Sequence, residues 1–217
     1  MNVEYIDNLE KMNSWEYFSS PVYTTKNESF VDSILKISNE YLDVRRSEQK
    51  FDEIYPVYQT YSFHNDLRIY NFYMWIGVNA RNILDSQGYD VSNFDVVISD
   101  LWCQEHHKYS GHEIHLHSGS ILSGFYFLEH EPETSKVLIH DPRLAKVYVN
   151  LPEKNEAIVS HASNIINFEP NIGTLMITNS WLQHSITKNS SNKPFKFVHF
   201  NLNVIPKQHV NYAAEVI

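Results

Sequence analysis

Two stretches near the start of the chain repeat apolar side chains at helical spacing. Over residues 28–44, Phe30, Ile34, Ile37, Tyr41 and Val44 fall on one face, with Val31, Leu35 and Leu42 beside them. Asn27 stands where an N-cap belongs, because its side-chain oxygen can accept from the first unpaired backbone N–H groups of a helix. Residues 66–86 repeat the pattern through Ile69, Phe72, Tyr73, Ile76, Ala80, Ile83 and Leu84, and end at Gln87-Gly88. Both stretches read as amphipathic helices that cover a sheet.

After residue 92 the pattern shortens to that of strands. Runs rich in Val, Ile, Phe and Tyr occupy 94–104, 112–117, 120–130, 136–140, 145–149, 163–168, 173–178, 183–188 and 195–205, with turn residues between them. Eight or nine short strands at this spacing predict a β-sandwich or barrel. No Gly/Ser linker, repeat or low-complexity tract divides the chain. The reading is one α+β domain over 1–217: a mainly helical layer (1–92) packed on a jelly-roll, cupin-like core (93–205), with a tail at 206–217.

Composition narrows the classes. Of 217 residues, 42% are hydrophobic and 14% aromatic, enough to bury a core and to exclude disorder as the main state. No stretch approaches the roughly 20 apolar residues of a membrane span. The acidic start Met1–Asp7 lacks the basic flank and apolar run of a signal peptide. A single cysteine, Cys103, excludes an internal disulfide and fits a reducing compartment, so a cytoplasmic protein is expected. Cys103 also has no basic neighbour in sequence to make it a thiolate nucleophile. The net charge is -9, and residues 1–100 hold 16 acidic against 8 basic side chains. Without concentrated positive charge, a general nucleic-acid or anionic-membrane binder is disfavoured.

Histidine is the remaining oddity, since 11 of the 12 lie after residue 100. The segment from Gly111 to Ser120 carries His115-Leu116-His117 on a predicted strand, where positions i and i+2 share a face and can converge on one ion. His112 points the other way on a regular strand. His184, after the Gly-led strand at 173–178, is the natural third ligand of an open site. Asp141, in His140-Asp141-Pro142-Arg143, competes for that place, although an aspartate before proline reads first as a turn residue. His106, His107, His130, His140 and His161 read as loop or strand-end residues, and Trp102 and Trp181 as core or barrel-mouth packing.

The string His115-Leu-His117-Ser-Gly-Ser-Ile-Leu-Ser123-Gly124-Phe-Tyr126 resembles the His-x-His…Ser-Gly-x-Tyr-Tyr pattern of an iron(II)/2-oxoglutarate oxygenase family of marine bacteria and phages. Asp141-Pro142-Arg143, Ser180-Trp181-Leu182-Gln183-His184 and Phe200-Asn201 are similar to its later signatures, in the same order. The resemblance spans about Leu101 to Asn203. It implies a double-stranded β-helix that holds Fe(II), with 2-oxoglutarate as co-substrate, oxidising a substrate C–H bond and releasing succinate and carbon dioxide. His117 stands where larger relatives place a carboxylate, so the implied site is three neutral imidazoles unless Asp141 reaches the metal.

An oxygenase of this kind needs a basic partner for the far carboxylate of 2-oxoglutarate, and arginine suits it best because its fork is bidentate. The family's arginine at the start of the last strand is missing here, where Lys193-Pro-Phe-Lys196 stands instead. Lys196, Lys193 and Arg143 are the candidates, with the Tyr126 hydroxyl as a further donor. The missing arginine favours a second reading, a cupin-type three-His metal enzyme that does not use 2-oxoglutarate; a third is a non-enzymatic jelly-roll binding protein without metal. The expected partners are a small-molecule or peptide substrate and a second copy of the chain, as a homodimer. The substrate itself is not readable, because loops and the helical half carry no recognisable motif.

Overall fold

A computed structural model describes residues 17–149 and 151–207. Residues 1–16 of the helical layer and 208–217 of the expected tail lie outside the described residues. In chain order the elements are β1 (Val22–Lys26), α1 (Val31–Glu48), β2 (Val57–Gln59), α2 (Tyr70–Ser86), β3 (Phe94–His106), β4 (His112–His115) and β5 (Leu122–Glu129). They continue with β6 (Val137–His140), β7 (Ile165–Phe168), β8 (Thr174–Asn179), β9 (His184–Ile186) and β10 (Phe195–Pro206).

Both helices begin through a short 3-10 turn with a side-chain cap. Asn27 Oδ1 accepts from the Ser29 N–H at 3.1 Å ahead of α1, and Asp66 Oδ1 accepts from the Arg68 N–H at 2.9 Å ahead of α2. Each cap satisfies an N–H that no helical carbonyl can reach.

The strands form a six-stranded sheet, β1-β8-β5-β10-β3-β2, and a four-stranded sheet, β4-β9-β6-β7, with antiparallel pairing throughout. Two facing antiparallel sheets of this kind make the double-stranded β-helix. Alternation along the strands then divides the apolar residues between two cores. On β5, Phe125 and Phe127 point between the sheets, while Leu122, Tyr126 and Leu128 point to the helices. On β10, Phe195 and Phe197 point inward, and Val198, Phe200 and Leu202 point to the helices. The outer core takes in Ile34, Ile37 and Leu42 of α1 and Phe72, Ile76 and Ala80 of α2, the same stripes the helical periodicity marks.

Two expectations change. The run at 145–149 is not a strand but part of a 3-10 turn, Leu144–Tyr148. Asp141 Oδ1 accepts from the Arg143 N–H at 2.9 Å, and this local bond winds the chain into the turn. The N-terminal layer also supplies β1 and β2, which edge the large sheet beside β8 and β3. Their sequences, Val-Tyr-Thr-Thr-Lys and Val-Tyr-Gln, are short and half polar, so only their sheet partners mark them as strands.

Gly124 sits in mid-sheet, where a Cβ would lie 2.4 Å from Met176 O and 2.6 Å from the Phe200 ring. The main chain of β8 cannot retreat without breaking the ladder. Gly124→Ala should therefore destabilise by about 1–3 kcal/mol, read as a lower urea midpoint at unchanged m-value. An unchanged midpoint would show that the strands can separate at this point.

Candidate metal centre

Strand pairing assembles the site. β4 and β9 place His115 directly opposite His184, and the main-chain N–H of His117 donates to Ser180 O at 2.9 Å just past the end of β4. Ligand atoms of His115, His117 and His184 lie within 4.8 Å of one another. His184 is buried, and the other two are half-buried at the rim.

Backbone carbonyls set which ring nitrogens are free. His115 Nδ1 donates to Glu113 O at 2.7 Å, and His184 Nδ1 donates to Leu182 O at 3.2 Å. A carbonyl only accepts, so the Nε2 of both rings keeps its lone pair, as a metal ligand requires. Burial, then the charges of His115 and His117, pulls His184 down to about 3. Burial, then His115 and His112, pulls His117 down to about 4. Both rings are thus held neutral, in the form that binds a metal, and three imidazoles suit a divalent first-row ion.

More histidines gather here than the sequence pattern predicts. A register shift between His112 and His115 breaks the strict alternation, so His112 does not turn away. It stacks on His115 with ring centroids 4.1 Å apart. His199, on β10, is buried with its Nε2 2.7 Å from His117 Nε2. The signal for His199 was its place two residues beyond Phe197 on the inward face of the last strand. Trp102 pairs with His199 across β3 and β10 and meets its ring edge-on at 4.8 Å.

Asp141 does not join the imidazoles. Its carboxylate takes the Arg143 fork at 2.9 and 2.7 Å and Lys146 Nζ at 3.1 Å. The Arg143 hydrogen bond, working against burial and helped by Lys146, holds its pKa far below the usual carboxylate range. Among the described residues the converging ligand set is all-histidine.

Residues 100–201, which contain all of these histidines, match the sequence profile of a family described as "Putative 2OG-Fe(II) oxygenase". Over this segment the chain carries the sequence pattern of that family. Solved structures share its fold. The chain superposes on a 2OG-Fe(II) oxygenase family oxidoreductase from Burkholderia pseudomallei with a TM-score of 0.54 and 12% identity, over 84% of each chain. A prolyl-4-hydroxylase from Pseudomonas putida gives 0.54 and 10%, over 85% of this chain and 94% of that one. HygX from Streptomyces hygroscopicus, with nickel, 2-oxoglutarate and hygromycin B bound, gives 0.55 and 10%, over 85% and 83%. No curated protein matches the chain in sequence. The family uses Fe(II) and 2-oxoglutarate, which favours the oxygenase over the cupin-type and non-enzymatic alternatives.

The residues expected to bind the co-substrate are scattered in the structure. Lys196 and Tyr126 lie on the helix side of the large sheet, because each is one residue out of phase with the inward positions of its strand. Lys196 Nζ contacts Glu105 and Glu129 at 3.0 Å each and Asn39 Oδ1 on α1 at 2.9 Å. Tyr126 donates to Asn27 O at 2.6 Å. Lys193 is exposed and ion-paired with Glu131. Arg143 borders a cleft of about 730 Å³, which it lines with Ile139, Asp141, Ser163, Ile166 and Leu182. Cys103 is buried, and burial pushes its thiol up to about 12, so it is no nucleophile. Among the described residues no helix is long and apolar enough to cross a membrane.

Proposed function

We propose that His115, His117 and His184 hold the Fe(II) of this oxygenase and that the adjoining cleft receives 2-oxoglutarate and the substrate. The observation that supports this most is the convergence of three imidazoles, with sequence and strand neighbours of His184 lining that cleft. Leu182 joins the two: its side chain lines the cleft, and its carbonyl orients the His184 ring. Ile139, also on the cleft wall, pairs with His184 across β6 and β9.

When bound, Fe(II) and 2-oxoglutarate supply dioxygen chemistry, in which the 2-oxo acid yields succinate and carbon dioxide and the substrate is oxidised. The protein's part is to orient, to bind charge and to exclude water. The imidazoles are fixed by backbone acceptors, so no ring must reorient as the site fills. Trp102 Nε1 and Ser123 Oγ are buried without a protein partner among the described residues. Trp102 lies against His199, and Ser123 shares the inward face of Phe125. Two such donors suit the oxygens of an anionic ligand, since a buried N–H or O–H left unpaired costs about 1–3 kcal/mol.

At the cleft, Arg143 and Lys146 face one carboxylate, Asp141, and the three together carry one positive charge to spare. Arg143 is therefore the residue to meet the far carboxylate of 2-oxoglutarate, through its bidentate fork. The cleft volume fits a small-molecule substrate or a short peptide side chain. Calorimetric titration of 2-oxoglutarate into anaerobic, Fe(II)-loaded protein tests this. Wild type should bind and, in air, release succinate. Arg143→Gln should weaken 2-oxoglutarate binding by about 10–100-fold, the worth of a charge-assisted pair. Unaltered affinity in this variant would remove Arg143 from the role, and no 2-oxoglutarate binding by wild type would overturn the cleft assignment.

A further inference from the structure

The outer side of β1 is an open sheet edge. Asn27 N–H donates to Gly173 O at 2.9 Å, in step with the Lys26–Thr174 pair of β1 and β8. Antiparallel alternation then turns the main chain of Tyr23 and Thr25 towards β8, and that of Val22, Thr24 and Lys26 away from it. Among the described residues no strand lies beyond β1 in the large sheet, so these outward N–H and C=O groups have no strand partner. Of the four edge strands, β1, β2, β4 and β7, it is the longest at five residues. Exposed edges are usually kept short, or guarded by a charge or a proline within the strand. Val22-Tyr23-Thr24-Thr25 has neither guard and favours extended backbone.

Beside this edge, β1, β8 and α2 leave a cavity of about 280 Å³, with the buried Leu175 and Ile177 on one side and Asn79, Asn82 and Ser86 of α2 on another. None of its lining side chains is charged, although the chain carries a net charge of -9. Copies with that charge repel one another and meet only where acidic groups are absent or paired. At the end of β1 the one acid nearby, Glu28, is paired with Lys26. The strand is also self-complementary. A two-fold axis at Thr24 sets Thr24 opposite its own copy, Tyr23 opposite Thr25 and Val22 opposite Lys26, with no like charges opposed.

We propose that a second copy of the chain adds its own β1 to this edge, antiparallel and centred on Thr24, and so joins the two large sheets into one. The contact is isologous, as a two-fold dimer requires. The outward main-chain groups of Val22, Thr24 and Lys26 pair with those of the other copy, in the way an added strand gains affinity from backbone hydrogen bonds. Tyr23 and Thr25 of the other copy arrive on the helix side, at the mouth of the cavity. No residue of this contact belongs to the imidazole cluster or its cleft, so the dimer stands independently of the metal chemistry.

Sedimentation equilibrium of the full-length protein, from about 1 μM to about 1 mM, reads this association. Wild type should pass from monomer to dimer over that range. Thr24→Asp opposes two carboxylates across the axis and should weaken the dimer by about 10-fold or more. Thr24→Cys gives a second readout, because a hydrogen-bonded antiparallel pair holds its Cα atoms about 5.5 Å apart, within the span of a disulfide. Under mild oxidation this variant should cross-link two copies, whereas Val22→Cys, whose symmetry mate lies at the far end of the paired strands, should not. The native Cys103 is buried and does not compete. In wild type the Thr24 N–H should become protected from hydrogen exchange as concentration rises. A monomer throughout would overturn the proposal, as would a dimer that Thr24→Asp leaves intact and Thr24→Cys does not cross-link. Protection of the Thr24 N–H that is the same at every concentration would place a segment of the same chain on this edge, and would overturn it too. The wild-type exchange and sedimentation decide even if a variant fails to fold.

Discussion

Replacing His184 with alanine should cost the protein its iron. His184 is the buried member of the imidazole set, with its Nδ1 fixed by Leu182 O and its Nε2 free. Loss of an outer-shell partner typically weakens a metal site 10–100-fold, so loss of a ligand should exceed about 100-fold. Fe(II) retained after gel filtration, counted by elemental analysis, should drop to background, and succinate release with it. Because His184 is buried, the truncation also opens a cavity in the barrel. His115→Ala, at the half-buried rim, supplies the comparison: it should lose the metal to a similar degree with little change in thermal midpoint. Wild-type iron content in both variants would refute the ligand assignment.

The second large effect concerns stability and lies on the opposite face of the sheet. Glu105 and Lys196 are both almost fully buried, with Arg46 at 2.6 Å and His107 at 2.8 Å from the Glu105 carboxylate. Lys196→Met would leave that carboxylate short of a partner, at a cost of about 3–5 kcal/mol. For a chain of this size the thermal midpoint should fall by roughly 10 °C. Metal affinity should not change, since Lys196 points away from the imidazoles. Equal losses of metal and stability would show the two faces to be coupled.

Acid should reveal the same network. Burial alone would raise the Glu105 pKa, but hydrogen bonds from His107 and Arg46 and the charge of Lys196 bring it from 4.5 to about 2. The unfolded chain therefore takes up a proton near pH 4.5 that the folded protein refuses. The stabilisation is complete above that pH and is lost as pH falls towards 2, in all about 3 kcal/mol. Urea unfolding of wild type and Glu105→Gln should differ most at neutral pH and converge towards pH 2. A constant difference across that range would exclude Glu105 as the source.

Much of this architecture is legible along the chain because its periodicities are local. The stripe from Ile34 to Leu42 and that from Phe72 to Leu84 need no tertiary information to mark a buried helix face. His115, His117 and His184 are likewise readable, because a strand sets the spacing of the first two and the motif order supplies the third. The Asp-Pro-Arg turn misleads in one respect. Its carboxylate attracts notice as a ligand, yet its nearest cations, Arg143 and Lys146, are two and five residues away and claim it first.

What alternation alone cannot settle is phase and register. Lys196 and Tyr126 looked suited to an anion, but a side chain one residue out of phase faces the other layer of a sheet. A register shift between His112 and His115 reverses the same rule and adds a histidine to the cluster. His199 is 82 residues from His117 and becomes its neighbour only when β10 takes its place between β3 and β5. Residue order was enough to mark the helices, the strand-rich half and three imidazoles that converge in the fold. Strand pairing decided which polar side chains meet them, because contact across a sheet depends on register between segments far apart in the chain.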